Sequence, residues 1–321
     1  MACSSKSNAK RTRYAQQLVI KAMLKHAFIT ILFLCTNGPI NAQQTATKLV
    51  LLGTGTPFAD PNKSGPSLAI VVNNTSYIVD CGPGVVRRAA EARQLGFPAL
   101  EASQLKTLFI THLHSDHTIG LADIILTPAV LDRNAPIRIY GPIGSKKMTN
   151  QLMNAYQEDI ALRINGLEKG DAIAYQVQTN EIKEGVIFKD SNVTVTAFKV
   201  QHGQWAHAFG FVFQTKDKKI VVSGDCTYSE NLIKYAKDCD ILVHEVYSHA
   251  GLKKRTQRWQ DYHSTFHTST YQLAEIANKV KPKLLILNHQ LTFGTSLESL
   301  LEEVQSKYAG PVVNGRDLAV F

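Results

Sequence analysis

The segment Thr111-His112-Leu113-His114-Ser115-Asp116-His117 packs three imidazoles and a carboxylate into six consecutive positions. Neutral imidazole nitrogens and carboxylate oxygens are ligands for zinc or a similar borderline cation. His112 and His114 alternate by two, so on extended backbone they point the same way, while Asp116 and His117 in the following turn can face a second ion. Three more residues repeat the context: His202 follows Val200-Gln201, Asp225 closes Val221-Val222-Ser223-Gly224, and His289 follows Leu284-Leu285-Ile286-Leu287-Asn288. Each stands where an apolar run gives out, which is where layered α/β folds build sites. Seven such ligands suit two metals, with Asp225 as the bridge. A cation pair holds both the attacking oxygen and the non-bridging oxygens of an ester, and lowers the pKa of bound water to about 7. Two divalent ions, two aspartates and one hydroxide leave a single positive charge, which suits an anionic ester. Asp116 is also placed to orient the hydroxide. A leaving alkoxide needs a proton, for which His267 is the candidate donor, supported by Glu245 because a carboxylate raises and orients an imidazole. His263 is the alternative donor.

The elements that must position these residues alternate along the chain. Lys48–Leu52 is an apolar run ended by Gly53-Thr54-Gly55-Thr56-Pro57, a strand entering a tight loop. Ser67–Val72 and Ser76–Val79 read as short strands hinged at Asn73-Asn74, followed by Asp80-Cys81-Gly82-Pro83-Gly84 and a helix to about Leu95. Strands are expected at Leu105–Ile110, Ile137–Tyr140, Val193–Val200, Phe209–Gln214, Ile220–Ser223, Ile241–Val246 and Leu284–Leu287. Helical patterns cover about 119–131, 145–160, 270–280 and 297–308. Meandering strands with interspersed helices favour two mixed sheets with helices outside, an α/β/β/α sandwich of four layers. The content divides into two halves near residue 200. Lys253-Lys254-Arg255, Arg258 and Trp259 form a loop that overhangs the site, and Trp205, Tyr247, Tyr262 and Phe293 flank the ligands, placed to stack on an aromatic leaving group.

The chain has 321 residues, 44% hydrophobic and 19% charged, which excludes a disordered, collagen-like or coiled-coil protein. Its net charge is +9, but residues 1–42 hold six Lys or Arg and no Asp or Glu; taking six from nine leaves +3, too little to single out a polyanion partner. Those basic residues have another reading. Lys21 and Lys25 precede the apolar stretch Ala27–Cys35, and small residues follow up to Ala42. A basic, apolar and then small-residue order reads as a secretory signal peptide cleaved after Ala42, with Met23 an alternative start. The mature protein, residues 43–321, is then a single periplasmic or secreted domain with no stable membrane insertion. Its three cysteines, Cys81, Cys226 and Cys239, rule out a fully paired framework and leave room for one bridge.

The His-x-His-x-Asp-His segment resembles the signature of the metallo-β-lactamase superfamily, and the remainder resembles its ribonuclease Z and arylsulfatase-like branch across residues 50–290. Leu52-Gly53-Thr54-Gly55-Thr56-Pro57 is similar to that branch's opening loop, and Asp80-Cys81-Gly82 with Gly84 to the superfamily's Asp–Gly turn. His202-Gly203 followed by Ala208-Phe209-Gly210 resembles the third-histidine segment, and His267-Thr268-Ser269 the His–Ser–Thr segment. The resemblance implies that His112, His114 and His202 hold one zinc, that Asp116, His117 and His289 hold the other, and that Asp225 bridges them. Manganese or iron would suit the same donors. Asp225 is a carboxylate where zinc β-lactamases commonly carry a thiolate, so antibiotic hydrolysis is not expected.

Ribonuclease Z proper carries a protruding basic, Gly/Pro-rich arm that grips tRNA. Residues 148–193 are instead mixed in charge, with Glu158, Asp159, Glu168, Asp171, Glu181, Glu184 and Asp190. The expectation is an exported binuclear zinc hydrolase of phosphate or sulfate esters acting on a small anionic substrate. Nucleic acid is an admitted but not favoured partner, and a homodimer is compatible with the resemblance. The competing readings are a lactonase on the same metals, a 3′ tRNA-processing endoribonuclease and an inactive binding protein; the last is disfavoured because a buried charged cluster is costly to retain without use.

Overall fold

The computed structural model describes residues 46–321; the expected signal peptide, residues 1–42, lies outside the described residues. Two sheets form. The first runs in the order β1 (Lys48–Gly53), β2 (Ser67–Val72), β3 (Thr75–Val79), β4 (Thr107–Phe109), β5 (Ile137–Gly141) and β6 (Val177–Glu181). The second holds β7 (Gly185–Lys189), β8 (Thr194–His202), β9 (Trp205–Gln214), β10 (Lys219–Val222), β11 (Ile241–Tyr247), β12 (Leu284–Leu291) and β13 (Val312–Asn314), also in sequential order. Both are mixed. Strands β1 to β3 pair antiparallel and β3 to β6 parallel. Strands β7 to β10 pair antiparallel and β10 to β13 parallel.

Alternation along each strand explains the layering. Leu49 and Leu51 of β1 join Ile70, Tyr77 and Phe109 in a core shared with Phe211, Phe213, Ile220, Val222 and Val243 of the second sheet. Val50 and Leu52 point the other way, into a core with helices α1 (Val85–Gln94) and α3 (Leu121–Val130). A strand turns successive side chains to opposite faces, so one apolar run feeds two cores. On the far face of the second sheet, Val221, Leu242 and Leu285 pack against α6 (Glu230–Ala236), α9 (Thr270–Val280) and α10 (Leu297–Gln305). The result is the expected four-layer sandwich. Helix α9 starts from a capping box in which the Ser269 and Gln272 side chains satisfy each other's backbone N–H groups.

The single helix expected over 145–160 is two, α4 (Ser145–Ala155) and α5 (Gln157–Asn165), interrupted at Tyr156. The halves divide between β6 and β7 rather than near residue 200. Both strands are sheet edges; in β6 the exposed polar residues Gln178, Asn180 and Glu181 hide the alternation, and in β7 Val186 stands exposed beside buried Phe188. The segment expected as an overhanging loop folds into α7 (His249–Lys253) and α8 (Gln257–Phe266). All three cysteines among the described residues are buried and free. No helix of the described residues is long and apolar enough to cross a membrane.

Candidate metal centre

Strand β4 ends at Phe109, and the following loop carries His112 and His114 into the short helix α2 (Ser115–Thr118), which carries Asp116 and His117. The other three residues come from the facing sheet. His202 is the last residue of β8, where the pairing with β9 shifts register. Asp225 follows β10 through Gly224, whose φ of +62° and approach to the Phe209 carbonyl (2.7 Å for an added Cβ) exclude a side chain. His289 lies inside β12 at the register shift opposite Glu245 and Val246, with φ +44°. It is the extra residue of a β-bulge, held in the left-handed region that a non-glycine residue rarely adopts, and the bulge re-aims its imidazole.

The seven residues converge. His112 Nε2 and His202 Nε2 each lie 3.0 Å from His114 Nδ1. His289 Nε2 lies 3.1 Å from Asp116 Oδ2 and 3.5 Å from Asp225 Oδ2. His117 Nε2 lies 3.6 Å from Asp116 Oδ2 and 3.4 Å from Asp225 Oδ2. The donor atoms of His112, His114 and His202, of His112, His117 and Asp225, and of Asp116, His117 and His289 each fall within 4.8 Å of one another. Asp225 therefore stands between the two histidine groups.

The surroundings fit cations. His117 Nδ1 donates to Asp80 Oδ2 at 2.8 Å, His112 Nδ1 meets Thr111 Oγ1 at 3.0 Å, and His202 Nδ1 donates to the Phe266 carbonyl at 2.7 Å. Each bond places the ring hydrogen on Nδ1 and turns the Nε2 lone pair toward the cluster, the arrangement of a metal-binding histidine. Thr111 in turn donates to Asp80, which also accepts the Thr111 N–H at 2.8 Å. His117 Nε2 is buried with no hydrogen-bond partner. His114 differs: Trp205 Nε1 donates to its Nε2 at 2.7 Å, so its hydrogen sits on Nδ1, where it must be displaced by any cation.

Electrostatics follow the same division. Burial holds His112 well below the imidazole range and brings His202 down to about 4. Burial also opposes charge on His117, but the Asp225 and Asp80 carboxylates outweigh it and hold its pKa well above the usual value, so a cation at Nε2 must displace a proton before the lone pair is free. Asp225 is desolvated, yet His289 and His117 keep it ionised, well below the carboxylate range. A buried anion among imidazoles is a ready-made seat for divalent ions.

His267 Nδ1 lies 3.4 Å from Glu245 Oε1 and 3.9 Å from Asp225 Oδ2; against the expectation that Glu245 raises this imidazole, burial lowers its pKa to about 4. Glu245 Oε1 accepts the backbone N–H groups of Cys226 at 3.2 Å and Thr268 at 3.0 Å. Burial and the neighbouring Asp225 push its carboxyl well up. His263 sits one turn earlier on α8, its ring 5.5 Å from His267, beyond reach of Glu245 in the observed bonding. A cleft of about 910 Å³ opens over His114, Asp116, Asp225, His267 and His289, with Tyr262, His263 and Phe293 in its walls. Trp205 and Tyr247 are not among its lining residues. Trp205 instead braces His114, and Tyr247 is buried. The structural roles of Trp205 and Thr111 were not read from sequence; each lies beside a ligand in space or chain, but neither residue type signals metal binding.

A family model for the beta-lactamase superfamily domain matches residues 75–290. Ribonuclease Z of Mycobacterium sp. (strain KMS) is 31% identical over 247 residues, covering 76% of this chain and 84% of that protein. Ribonuclease Z of Mycobacterium bovis (strain BCG / Pasteur 1173P2) is 27% identical over 277 residues, covering 84% and 96%. Among solved structures, the metallo-beta-lactamase fold protein YhfI from Bacillus subtilis superposes with a TM-score of 0.67 at 17% identity, covering 86% of this chain and 98% of that one. The short form of human tRNase Z superposes at 0.62 with 21% identity, covering 85% and 98%. The chain is a metal-dependent hydrolase of the metallo-β-lactamase superfamily, belonging to its ribonuclease Z branch.

Proposed function

We propose that this chain is a binuclear zinc hydrolase of phosphate or sulfate esters, acting on a small anionic substrate outside the cytoplasm. The observation that carries it is the cluster itself: His112, His114 and His202 on one side, Asp116, His117 and His289 on the other, and Asp225 between them. Divalent ions held by these residues would supply a nucleophile of hydroxide strength at neutral pH and a positive field for an ester's oxygens. The protein's own residues do the rest. Asp116, largely buried at the cleft floor and bonded to His289, orients the attacking group. His267 lines the same cleft; burial holds it neutral in the free protein, so it serves as proton donor to the leaving oxygen only when an anionic ester beside it raises its pKa, and Glu245, pinned by two backbone N–H groups, lies 3.4 Å from its Nδ1. Trp205, Thr111 and Asp80 hold ligands rather than substrate.

The relatives' names make an endoribonuclease the second reading. Against it, residues 148–193 fold into helices and into β6 and β7, the edge strands that complete both sheets. The export reading is supported by the basic and then apolar order of residues 21–42. The test is a panel offered to metal-loaded protein spanning residues 43–321: an aryl phosphodiester, an aryl sulfate, a lactone and a tRNA precursor. Turnover of an anionic ester, abolished by His114→Ala and by Asp116→Ala, is the expected result. Cleavage of the lactone alone would overturn it.

A further inference from the structure

The cleft above the metal centre is asymmetric. Its floor is polar, but one wall is aromatic and cationic: Trp259, Tyr262 and His263 of α8, Arg255 just before it, and Phe293 on the loop after β12. The Gly55–Lys63 loop lines the cleft too, with Phe58, 79% exposed, Asp60 and Lys63. Trp259 is 48% and Tyr262 38% exposed, their rings set at 88° with centroids 5.8 Å apart, a corner open to solvent. His263 stacks beneath Trp259 at 5.5 Å and meets Phe293 at 4.5 Å, so the corner rests on a packed ring base. Phe293 holds a φ of +51°, a strained conformation for an aromatic residue, and strain of this kind gathers at ligand clamps.

The charges are as telling. The Arg255 guanidinium lies 5.9 Å over Phe293 and that of Arg258 lies 5.9 Å over Trp259; neither makes an ion pair among the described residues. By contrast, Arg87, Arg93 and Arg163 each meet a carboxylate. Lys63 Nζ donates to the Gln290 side chain at 3.4 Å and makes no ion pair among the described residues. Guanidinium groups held on ring faces without a carboxylate are pre-oriented for a planar or phosphate anion.

Resting on the ester-hydrolase reading above, we propose that this wall is a second subsite, and that it selects a phosphodiester carrying both an aromatic ring and a further phosphate away from the scissile bond: a small nucleotide-type ester. Trp259 and Tyr262 receive the ring, and Arg255 receives the remote phosphate. Stacking on an aromatic side chain and pairing with a guanidinium each increase kcat/KM by about tenfold.

Three substrates sharing a nitrophenolate leaving group test it on the metal-loaded protein: methyl 4-nitrophenyl phosphate, thymidine 5′-(4-nitrophenyl phosphate), and the latter bearing a 3′-phosphate. The expected kcat/KM rises at each step. Trp259→Ala collapses the ratio of the second substrate to the first, and Arg255→Gln the ratio of the third to the second. Equal values for all three in the wild type overturn the subsite while leaving the hydrolase reading intact. Turnover of none overturns the hydrolase reading. The subsite is then judged alone by titrating thymidine 3′,5′-bisphosphate into Trp205→Phe protein, where Trp259 is the remaining tryptophan among the described residues. Saturable quenching supports the subsite, and its absence overturns it.

Discussion

Replacing Asp80 by asparagine isolates the orientation of one ligand. Asp80 is buried and holds a φ of +58°, a conformation asparagine tolerates as well as aspartate, so the backbone turn survives. The amide oxygen still accepts the Thr111 N–H, which lies 2.8 Å away. The amide nitrogen, however, replaces the oxygen 2.8 Å from His117 Nδ1, and there it can only donate. His117 must then accept at Nδ1 and carry its hydrogen on Nε2, facing Asp225 at 3.4 Å instead of a cation. Loss of such an orienting partner costs about 10–100-fold in metal affinity, or ~1.4–2.7 kcal/mol. The loss is selective. His112 is oriented through Thr111 Oγ1, which keeps Asp80 Oδ1 at 3.1 Å to donate to when Oδ2 becomes an amide nitrogen, and His202 through the Phe266 carbonyl, which Asp80 does not touch. Competition with a chromophoric chelator should therefore show one weakened and one unchanged equivalent of metal in Asp80→Asn, with the chelated variant melting close to the chelated wild type. Two equivalents bound within threefold of wild type would refute the tautomer argument, and equal weakening of both would refute the partition of the ligands.

Metal loading must move the Trp205–His114 contact, because a cation at His114 Nδ1 forces a hydrogen onto Nε2 against the indole N–H, a clash of about 1–3 kcal/mol. In Trp259→Phe protein, zinc titration should shift the emission of Trp205, and an unchanged spectrum at full loading would count against cation binding at that atom. Chelation should lower the melting temperature by about 10 °C when metal is otherwise near a thousandfold above its dissociation constant. Asp317 accepts Thr54 N at 2.9 Å, Thr54 Oγ1 at 2.8 Å and Ser64 N at 2.7 Å, which ties down the loop forming one cleft wall. Asp317→Ala should cost about 3 kcal/mol in urea unfolding and raise KM more than it lowers kcat; a loss under 1 kcal/mol would show the loop is held elsewhere.

Much of this centre was legible because its chemistry is dense and local. Four ligands sit in one short segment, and the other three each terminate or interrupt an apolar strand, a pattern that survives without knowledge of the pairing. The double layering was legible too, since β1 alone sends Leu49 and Leu51 to one core and Val50 and Leu52 to another. What escaped depends on contacts distant in sequence. Edge strand β6 carries polar residues on both faces, so its periodicity is weak, and β7 is a short run whose Val186 faces solvent. Helix α8 buries no residue fully and therefore shows no core stripe, and its segment read as a charged loop. The choice between His263 and His267 turns on which ring reaches Glu245, a fact of three dimensions that spacing along the chain does not contain.

Each proposed cation draws donors from both sheets: His112 and His114 with His202 across the interface, Asp116 and His117 with His289. Neither half of the polypeptide owns a finished pocket. A nascent chain that has made only β1 to β6 already displays its dense histidine stretch, yet that stretch gains full grip only after the later strands dock. Tight metal uptake would thus be a late step of assembly, and once complete it would act as a rivet: the halves could not separate without surrendering the bound metal.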